Sequence, residues 1–260
     1  MTLLSPGAKL LHFREIDSTN AEAQRQALAG ERGPLWVLAD RQTQGRGRHG
    51  RLWVSEEGNL FATLLLTLAV GPAVAAQLSF VASLAAADAV RPLVPEKSVR
   101  DLSLKWPNDV LIGGRKVAGI LPESLSPSGN EEAAVAIGCG LNVAHVPAAT
   151  RYPSTCLADE GSAAKRDEVF SCLAAAMAAQ LTAWSAGEGF DVIRQCWLAQ
   201  AAGLGGRAAV ELGHERLEGT FINIAADGAL ILRLDDGEQR SIHGGEVRLA
   251  NIERWRTPTQ

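Results

Sequence analysis

No CxxC pair and no histidine at zinc-ligand spacing occurs in this 260-residue sequence; its four cysteines, Cys139, Cys156, Cys172 and Cys196, stand far apart. That argues against a disulfide scaffold or a zinc cluster and predicts reduced, mostly buried thiols. A basic excess is also missing. The 25 Lys and Arg face 29 Asp and Glu, for a formal charge of −4 and a pI near 5.8. No general field then draws in nucleic acid, and any anion site has to be local. No charged n-region with a following apolar run opens the chain, and no stretch approaches the roughly 20 apolar residues of a membrane span. The longest candidate, Leu60 to Val70, is interrupted by Thr63 and Thr67 and reads as a buried strand. These absences predict a cytoplasmic protein that binds no membrane. Internal repeats and low-complexity tracts are absent too, apart from alanine-rich helices.

What is present is core-forming material: 47% hydrophobic residues, enough for one large domain and a small one. Leu10 to Phe13 reads as a first strand, and the segment from Ile16 to Gly30 as a turn entering a helix, with Thr19 and Glu22 at capping-box spacing. Further strands are predicted at Leu35 to Ala39, Asn59 to Leu68, Leu102 to Trp106, Val110 to Ile112, Lys116 to Leu121 and Ala133 to Val143. Gly113-Gly114 reads as a tight hairpin turn between two of them. Helices are predicted from Pro72 to about Arg91, from Asp167 to Ala186 and from Phe190 to Gln200. From Arg207 onward, short strand-like runs alternate with Gly213-His214, Asp227-Gly228, Asp236-Gly237 and Gly244-Gly245, the spacing of a small barrel. A boundary near Gly203 to Gly206 divides the chain into residues 1–203 and 204–260.

One loop stands out. Gln44 to Trp53, QGRGRHGRLW, sets Arg46, Arg48 and Arg51 between Gly45, Gly47 and Gly50 without one carboxylate. Glycines admit close backbone approach, and guanidinium forks suit phosphate or carboxylate, so the loop reads as an anion holder. A solvated loop or a short RNA-binding Arg-Gly segment are the plainer readings, but predicted core strands anchor both its ends. Three more segments combine polar groups with turn chemistry: DSTN at Asp17 to Asn20, KWPND at Lys105 to Asp109, and RKVAGIL at Arg115 to Leu121. Singly, each has an ordinary reading. Lysines beside apolar strand residues usually snorkel, Asn108-Asp109 after Pro107 is a turn, and Gln42 sits in a solvated loop.

Taken in order, DSTN, QxxGRGRxGRxW, KWPND, RKVAGIL and GxGLNV resemble the catalytic domain of biotin protein ligases, from about Leu10 to Gln200. Arg207 to Trp255, with its GGE at Gly244 to Glu246, is similar to that family's SH3-like C-terminal domain. The resemblance implies an α+β fold: a mixed, mainly antiparallel sheet with helices, like the class II aminoacyl-tRNA synthetases, followed by a small β-barrel. It implies an enzyme that joins biotin and ATP into biotinyl-5'-AMP, releases pyrophosphate, and passes biotin to one lysine of a biotin carboxyl carrier protein.

The same resemblance implies residue roles. Lys116 and Arg48 would be catalytic. Biotin would meet Ser18, Thr19, Asn20, Gln42, Gly45, Arg46, Gly47, Arg48, Lys116, Gly119 and Gly138. ATP would meet Arg48, Arg51, Trp53, Lys105, Asn108, Asp109 and Asn142, with Mg²⁺ carried by the nucleotide and no metal site of the protein's own. His49 and Leu52 receive no role, and Ala144 to Asp159, on the adenine side, departs from the family wording. Some relatives carry an N-terminal helix-turn-helix; here only some ten residues precede the first strand, so no DNA binding is expected. The expected assembly is a monomer or a weak homodimer. A lipoate or octanoate ligase or transferase, sharing the fold, and a non-enzymatic binder built on the Arg-Gly loop and the barrel are the alternatives.

Overall fold

Alternation along one strand sets up the layers. In the computed structural model, which describes residues 7–125, 132–147, 152–213, 215–250 and 252, strand β2 (Leu35–Gln42) is buried on both faces. Leu35 and Val37 pack with Ala23 of helix α1 (Thr19–Leu28), while Trp36 and Leu38 join the larger core on the other side. Burial on both faces turns the usual polar alternation into a continuous apolar run.

Seven strands form the main sheet, in the order β1-β2-β3-β7-β6-β5-β4. They are β1 (Lys9–Ile16), β2, β3 (Leu60–Leu68), β4 (Leu102–Lys105), β5 (Asp109–Ile112), β6 (Arg115–Ser124) and β7 (Ala133–Leu141). Only β1 and β2 pair in parallel, and a parallel pair needs a crossover, which α1 supplies. Every other pairing is antiparallel. Gly113 and Gly114 both have positive φ, 57° and 74°, the backbone a two-residue hairpin between β5 and β6 requires.

The expected helix from Pro72 to Arg91 is divided into α2 (Pro72–Ala75) and α3 (Leu78–Val90). Nearly every α3 residue is buried, because the helix lies between the sheet and helices α5 (Arg166–Trp184) and α6 (Phe190–Leu198). An edge-on ring contact of Trp36 with Phe170, centroids 5.4 Å apart, ties α5 to the sheet. A short helix, α4 (Glu96–Arg100), is not foreseen from the sequence.

Beyond α6, five antiparallel strands make a second sheet, ordered β11-β10-β9-β8-β12. These are β8 (Arg207–Leu212), β9 (Glu215–Ile224), β10 (Leu230–Arg233), β11 (Gln239–Ile242) and β12 (Glu246–Leu249). Asp227-Gly228, Asp236-Gly237 and Gly244-Gly245 fall between strands as expected, whereas His214 lies outside the described residues. The second sheet shares the large core with the first. Trp106 Nε1 donates to Gly228 O at 3.2 Å and Arg194 to Ile224 O at 3.0 Å across the junction.

Three expectations need correction. The cap of α1 is Ser18, whose hydroxyl accepts from Ala21 N, and not Thr19, which is already the first helical residue. Cys139 and Cys156 are buried, but Cys172 is half-buried and Cys196 exposed. Two helical stretches, Pro72–Leu93 and Arg166–Gly187, are long and apolar enough to cross a membrane by length and composition. The first is mostly buried in the protein core, the position of α3 between sheet and helices.

Candidate functional site

At the start of α1 the chain makes a turn that only a particular set of side chains holds. Asp17 accepts from its neighbour's N–H, Ser18 N, at 2.7 Å and receives both terminal nitrogens of Arg25, at 2.8 and 2.9 Å. The Arg25 hydrogen bonds draw its carboxyl down to a pKa of about 2. Because Ser18 takes the capping role, Thr19 is free to face inward. Its N–H donates to Gln42 Oε1 at 2.8 Å, at the end of β2. Ser18, Thr19 and Asn20 are all buried, and all three line a cavity of about 380 Å³, a volume suited to a small organic ligand.

The Arg-Gly loop forms the lid side of that cavity. It is folded as a narrow lobe: Gln42 pairs with Ser55 and Arg46 with Leu52 in antiparallel bridges, Gly47 N donates to Arg51 O at 2.7 Å and Trp53 N to Gly45 O at 2.9 Å. His49 sits at the tip with φ of 56°, a left-handed conformation in which histidine is enriched among non-glycine residues. Locally the loop has no carboxylate, but the fold brings one. Arg51 is paired with Glu246 of β12, and Arg48 donates to Gly245 O at 3.1 Å and reaches Asn108 Oδ1 at 3.4 Å. Burial pushes the Arg48 pKa down, partly offset by Asp109 and Glu246.

Lys116 owes its direction to a bulge. Opposite β5, Leu111 pairs with Lys116 but Val110 pairs with Ala118, leaving Val117 as an extra residue. Residues three apart on a regular strand face opposite ways, and the inserted residue cancels that difference. Lys116 and Gly119 therefore both line the cavity, so closely that a Cβ on Gly119 would lie 3.0 Å from Lys116 Nζ and from the Trp53 ring. The ammonium pairs with Asp109 Oδ1 at 2.5 Å and stands 5.2 Å from the Trp53 ring centre.

Gly138 and Gly140 on β7 admit side chains. A Cβ at Gly138 would meet Asn20 Oδ1 at 2.3 Å, and one at Gly140 would meet the Trp53 indole at 2.6 Å. Lys105 is buried with its ammonium 4.9 Å from the Tyr152 ring centre, not at a snorkelling edge. Asn108 donates to Ile120 O, and Asn142 to Thr155 O at 3.1 Å.

Of the site residues expected from sequence, all but Gly45 line this one cavity. Gly45 is packed against the lobe itself, where a Cβ would strike Trp53 O at 2.3 Å and Ser55 Oγ at 2.5 Å. The sequence reading missed Phe61, Tyr152, Gly245 and Glu246, which also line the cavity. The GGE run was the available signal for the last two. Among the described lining residues, five side chains are cationic (Arg46, Arg48, Arg51, Lys105 and Lys116) and two are carboxylates, Asp109 and Glu246. A locally positive cavity thus sits in a chain of net charge −4. Its Ser18–Asn20 and Gln42 end is uncharged. The buried Trp53 indole N–H and Tyr152 hydroxyl meet no hydrogen-bonding partner among the described residues. No cluster of three or more His, Cys, Asp or Glu that could hold a metal occurs among those residues.

Residues 13–142 match the biotin/lipoate A/B protein ligase family, and residues 204–249 match the biotin protein ligase C-terminal domain. Over 232 residues the chain is 46% identical to the biotin–acetyl-CoA-carboxylase ligase of Paracoccus denitrificans, covering 86% of this chain and 93% of that protein. With the corresponding ligase of Mycobacterium tuberculosis it shares 34% identity over 251 residues, 90% of this chain and 89% of the other. Among solved structures, the biotin protein ligase of Aquifex aeolicus in complex with biotin and ATP superposes with a TM-score of 0.77 at 26% identity, over 93% of this chain and 99% of that one. The Leishmania major enzyme in complex with biotinyl-5-AMP gives 0.61 at 25% identity, over 91% and 99%.

Proposed function

This chain belongs to the biotin protein ligase family, and on that premise we propose that it is a biotin–acetyl-CoA-carboxylase ligase. It activates biotin with ATP and transfers it to a lysine of the biotin carboxyl carrier protein. The observation that carries the reading is the cavity's division of labour: an uncharged hydrogen-bonding end, a strongly cationic end, and Lys116 lining the wall with them.

In the first step an oxygen of the biotin carboxylate attacks the α-phosphorus of ATP, the bond to the β-bridging oxygen breaks, and pyrophosphate leaves. Carboxylate and phosphate repel by about 4 kcal/mol at 4 Å for an effective dielectric constant of 20. Arg46, Arg48 and Lys116 offset that repulsion and let the reacting atoms approach. Arg51 and Lys105 serve the triphosphate, and Asn108, Asp109 and Asn142 the nucleotide side, with Mg²⁺ arriving as MgATP. Lys116 meets the growing charge on the acyl-phosphate oxygen. Trp53, already against Gly119 and Gly140, covers the ligand, and water excluded by it cannot hydrolyse the mixed anhydride. In the second step the neutral ε-amine of the carrier lysine attacks the acyl carbon, the C–O bond to AMP breaks, and the nitrogen loses its proton as the amide forms.

At the other end, hydroxyl and amide groups of Ser18, Thr19, Asn20 and Gln42 suit a cyclic urea, which both donates and accepts. A lipoate or octanoate ligase would keep the cationic end and change this one. A transferase working through a thiol needs a thiolate, yet burial pushes the lining Cys139 up to about 12, so at neutral pH it is a protonated, inert thiol.

We propose further that the chain divides at residues 203 and 204, and that the smaller unit is an SH3-like barrel that helps position ATP. The larger unit would be a relative of class II aminoacyl-tRNA synthetases, and the enzyme would work in the cytoplasm as a monomer or weak homodimer. Formation of acyl-AMP from α-labelled ATP, with biotin, lipoate, octanoate or no acid, tests the function. Adenylate with biotin alone is expected. Adenylate with another acid instead would overturn the substrate.

A further inference from the structure

Thr63, in the middle of β3, is fully buried and does not line the cavity. Its hydroxyl nevertheless reaches two residues that do, lying 2.8 Å from Thr19 Oγ1 and 2.7 Å from Asn20 Oδ1. Asn20 Nδ2 in turn donates to Glu123 Oε2 at 2.6 Å and to Leu121 O at 3.2 Å. On the other side of Thr19, Gln42 Oε1 accepts from the Thr19 N–H at 2.8 Å and lies 3.1 Å from the Thr19 hydroxyl. Six residues from four elements thus share one chain of hydrogen bonds behind the uncharged end of the site.

Counting protons gives the chain a direction. An ionised carboxylate only accepts, so Glu123 accepts a hydrogen bond from the Asn20 amide N–H, which turns Asn20 Oδ1 toward Thr63. An amide oxygen also only accepts, so the single Thr63 proton goes to Asn20. The 2.8 Å contact between Thr63 and Thr19 then needs the Thr19 proton, and Thr19 has no other. Gln42 Oε1 is left with the Thr19 N–H, which is the shorter of its two contacts with that residue. Thr19 therefore offers the cavity a lone pair and no proton.

We infer that Thr63, anchored through Asn20 by Glu123, is a positioning residue that holds Thr19 as an obligate acceptor. The uncharged end is thereby selective for acids whose head group brings an N–H donor. A cyclic urea meets that demand; a dithiolane or an alkyl chain does not. This inference rests on the reading of the site as one for biotin and adds a residue outside the cavity wall. Without the Thr63 hydroxyl, the Thr19 proton is released to Gln42 or to the ligand, and the preference for an N–H donor falls.

The test compares wild type with Thr63→Val, which keeps the shape and removes the hydroxyl, and Thr63→Ser, which restores it. Thr63→Cys, a weak donor of similar size, replaces the valine variant if that one does not fold. Adenylate formation is followed while biotin and ATP are varied separately. For Thr63→Val the KM for biotin should rise tenfold or more, a loss of about 1.4 kcal/mol per factor of ten. The KM for ATP and kcat should stay within about twofold, the range of a remote, independent change. Desthiobiotin, which keeps the urea, should suffer the same loss, and Thr63→Ser should recover wild-type behaviour. An unchanged KM for biotin, or equal rises for biotin and ATP that serine does not rescue, would overturn the inference. Wild-type protein that makes no adenylate with biotin would instead overturn the functional reading beneath it.

Discussion

Asp17 and Lys116 do opposite kinds of work with their charges. Asp17 holds the entrance to α1, and its carboxyl is depressed from 3.8 to about 2 by Arg25. A depressed carboxyl stabilises the fold above its unfolded pKa and loses that effect as pH falls through the folded one. The contribution is therefore complete above about pH 5 and fades toward pH 2. With the side chain 36% exposed, solvent screening limits it to at most about 1 kcal/mol. Asp17→Asn should melt a few degrees below wild type near pH 6, and thermal scans should show the two converging as pH drops; a constant gap would argue against the charged pair. Lys116 is half-buried, and its partner Asp109 also lines the cavity, so its removal costs little packing. Lys116→Ala should lower kcat for adenylate formation by about 10²–10³-fold, as for other pre-placed charge-stabilising groups, with the far-ultraviolet spectrum unchanged. Wild-type turnover in that variant would remove Lys116 from the mechanism. Cys139, neutral to a pKa of about 12, should be replaceable by alanine with biotin-dependent turnover kept.

Among the elements, the Arg-Gly loop is the one whose behaviour the chemistry demands. It is anchored at its base by the Gln42–Ser55 bridge and at its far side by the Arg48 and Arg51 contacts to Gly245 and Glu246. Biotin plus ATP would draw both guanidinium groups inward and order the lobe. Trypsin cleavage after Arg48 and Arg51 should accordingly slow in the presence of both substrates, and peptide mapping that finds equal rates would count against closure. The sequence reading saw the loop's arginines and glycines because they stand together. That Glu246, 195 residues later, would pair with Arg51 was not legible there. The hairpin at Gly113-Gly114 was legible for the opposite reason: a two-residue turn is a local demand on φ. The bulge at Val117 that turns Lys116 toward the cavity was not, since a bulge exists only relative to the strand opposite.

The whole molecule matters because the second sheet completes the cavity of the first. Gly228 sits at the junction with φ of 89°, and a Cβ there would stand 2.9 Å from the Phe80 ring. Gly237 has almost the same φ, 90°, but open space around it. Both alanine variants carry a side chain at a positive φ, and only at Gly228 does that side chain meet a ring, so their difference reports chiefly on the wedge. Gly228→Ala should lose about 1–3 kcal/mol more than Gly237→Ala, the range for overpacking a core. Moving the second sheet should also raise the KM for ATP more than that for biotin, because Gly245 and Glu246 contact Arg48 and Arg51. Identical melting temperatures and kinetics for the two variants would show that the junction does not govern the nucleotide end.

The sequence by itself determined what depends on neighbours along the chain: the strands and helices from their periodicity, the hairpin turn, and the cationic, glycine-rich character of QGRGRHGRLW. Family wording added the grouping of Ser18–Asn20, Gln42, Lys116 and Asn142 as one site. The tertiary structure decided what depends on distant residues meeting. It made Ser18 the cap and left Thr19 for the cavity, gave Arg51 its carboxylate, and packed Gly45 against Trp53 and Ser55. It also joined Thr63 to a site it does not line. Hydrogen bonds and ion pairs act over about 3–4 Å, while these partners lie from tens of residues to nearly 200 apart in the chain. Only folding brings such groups within reach.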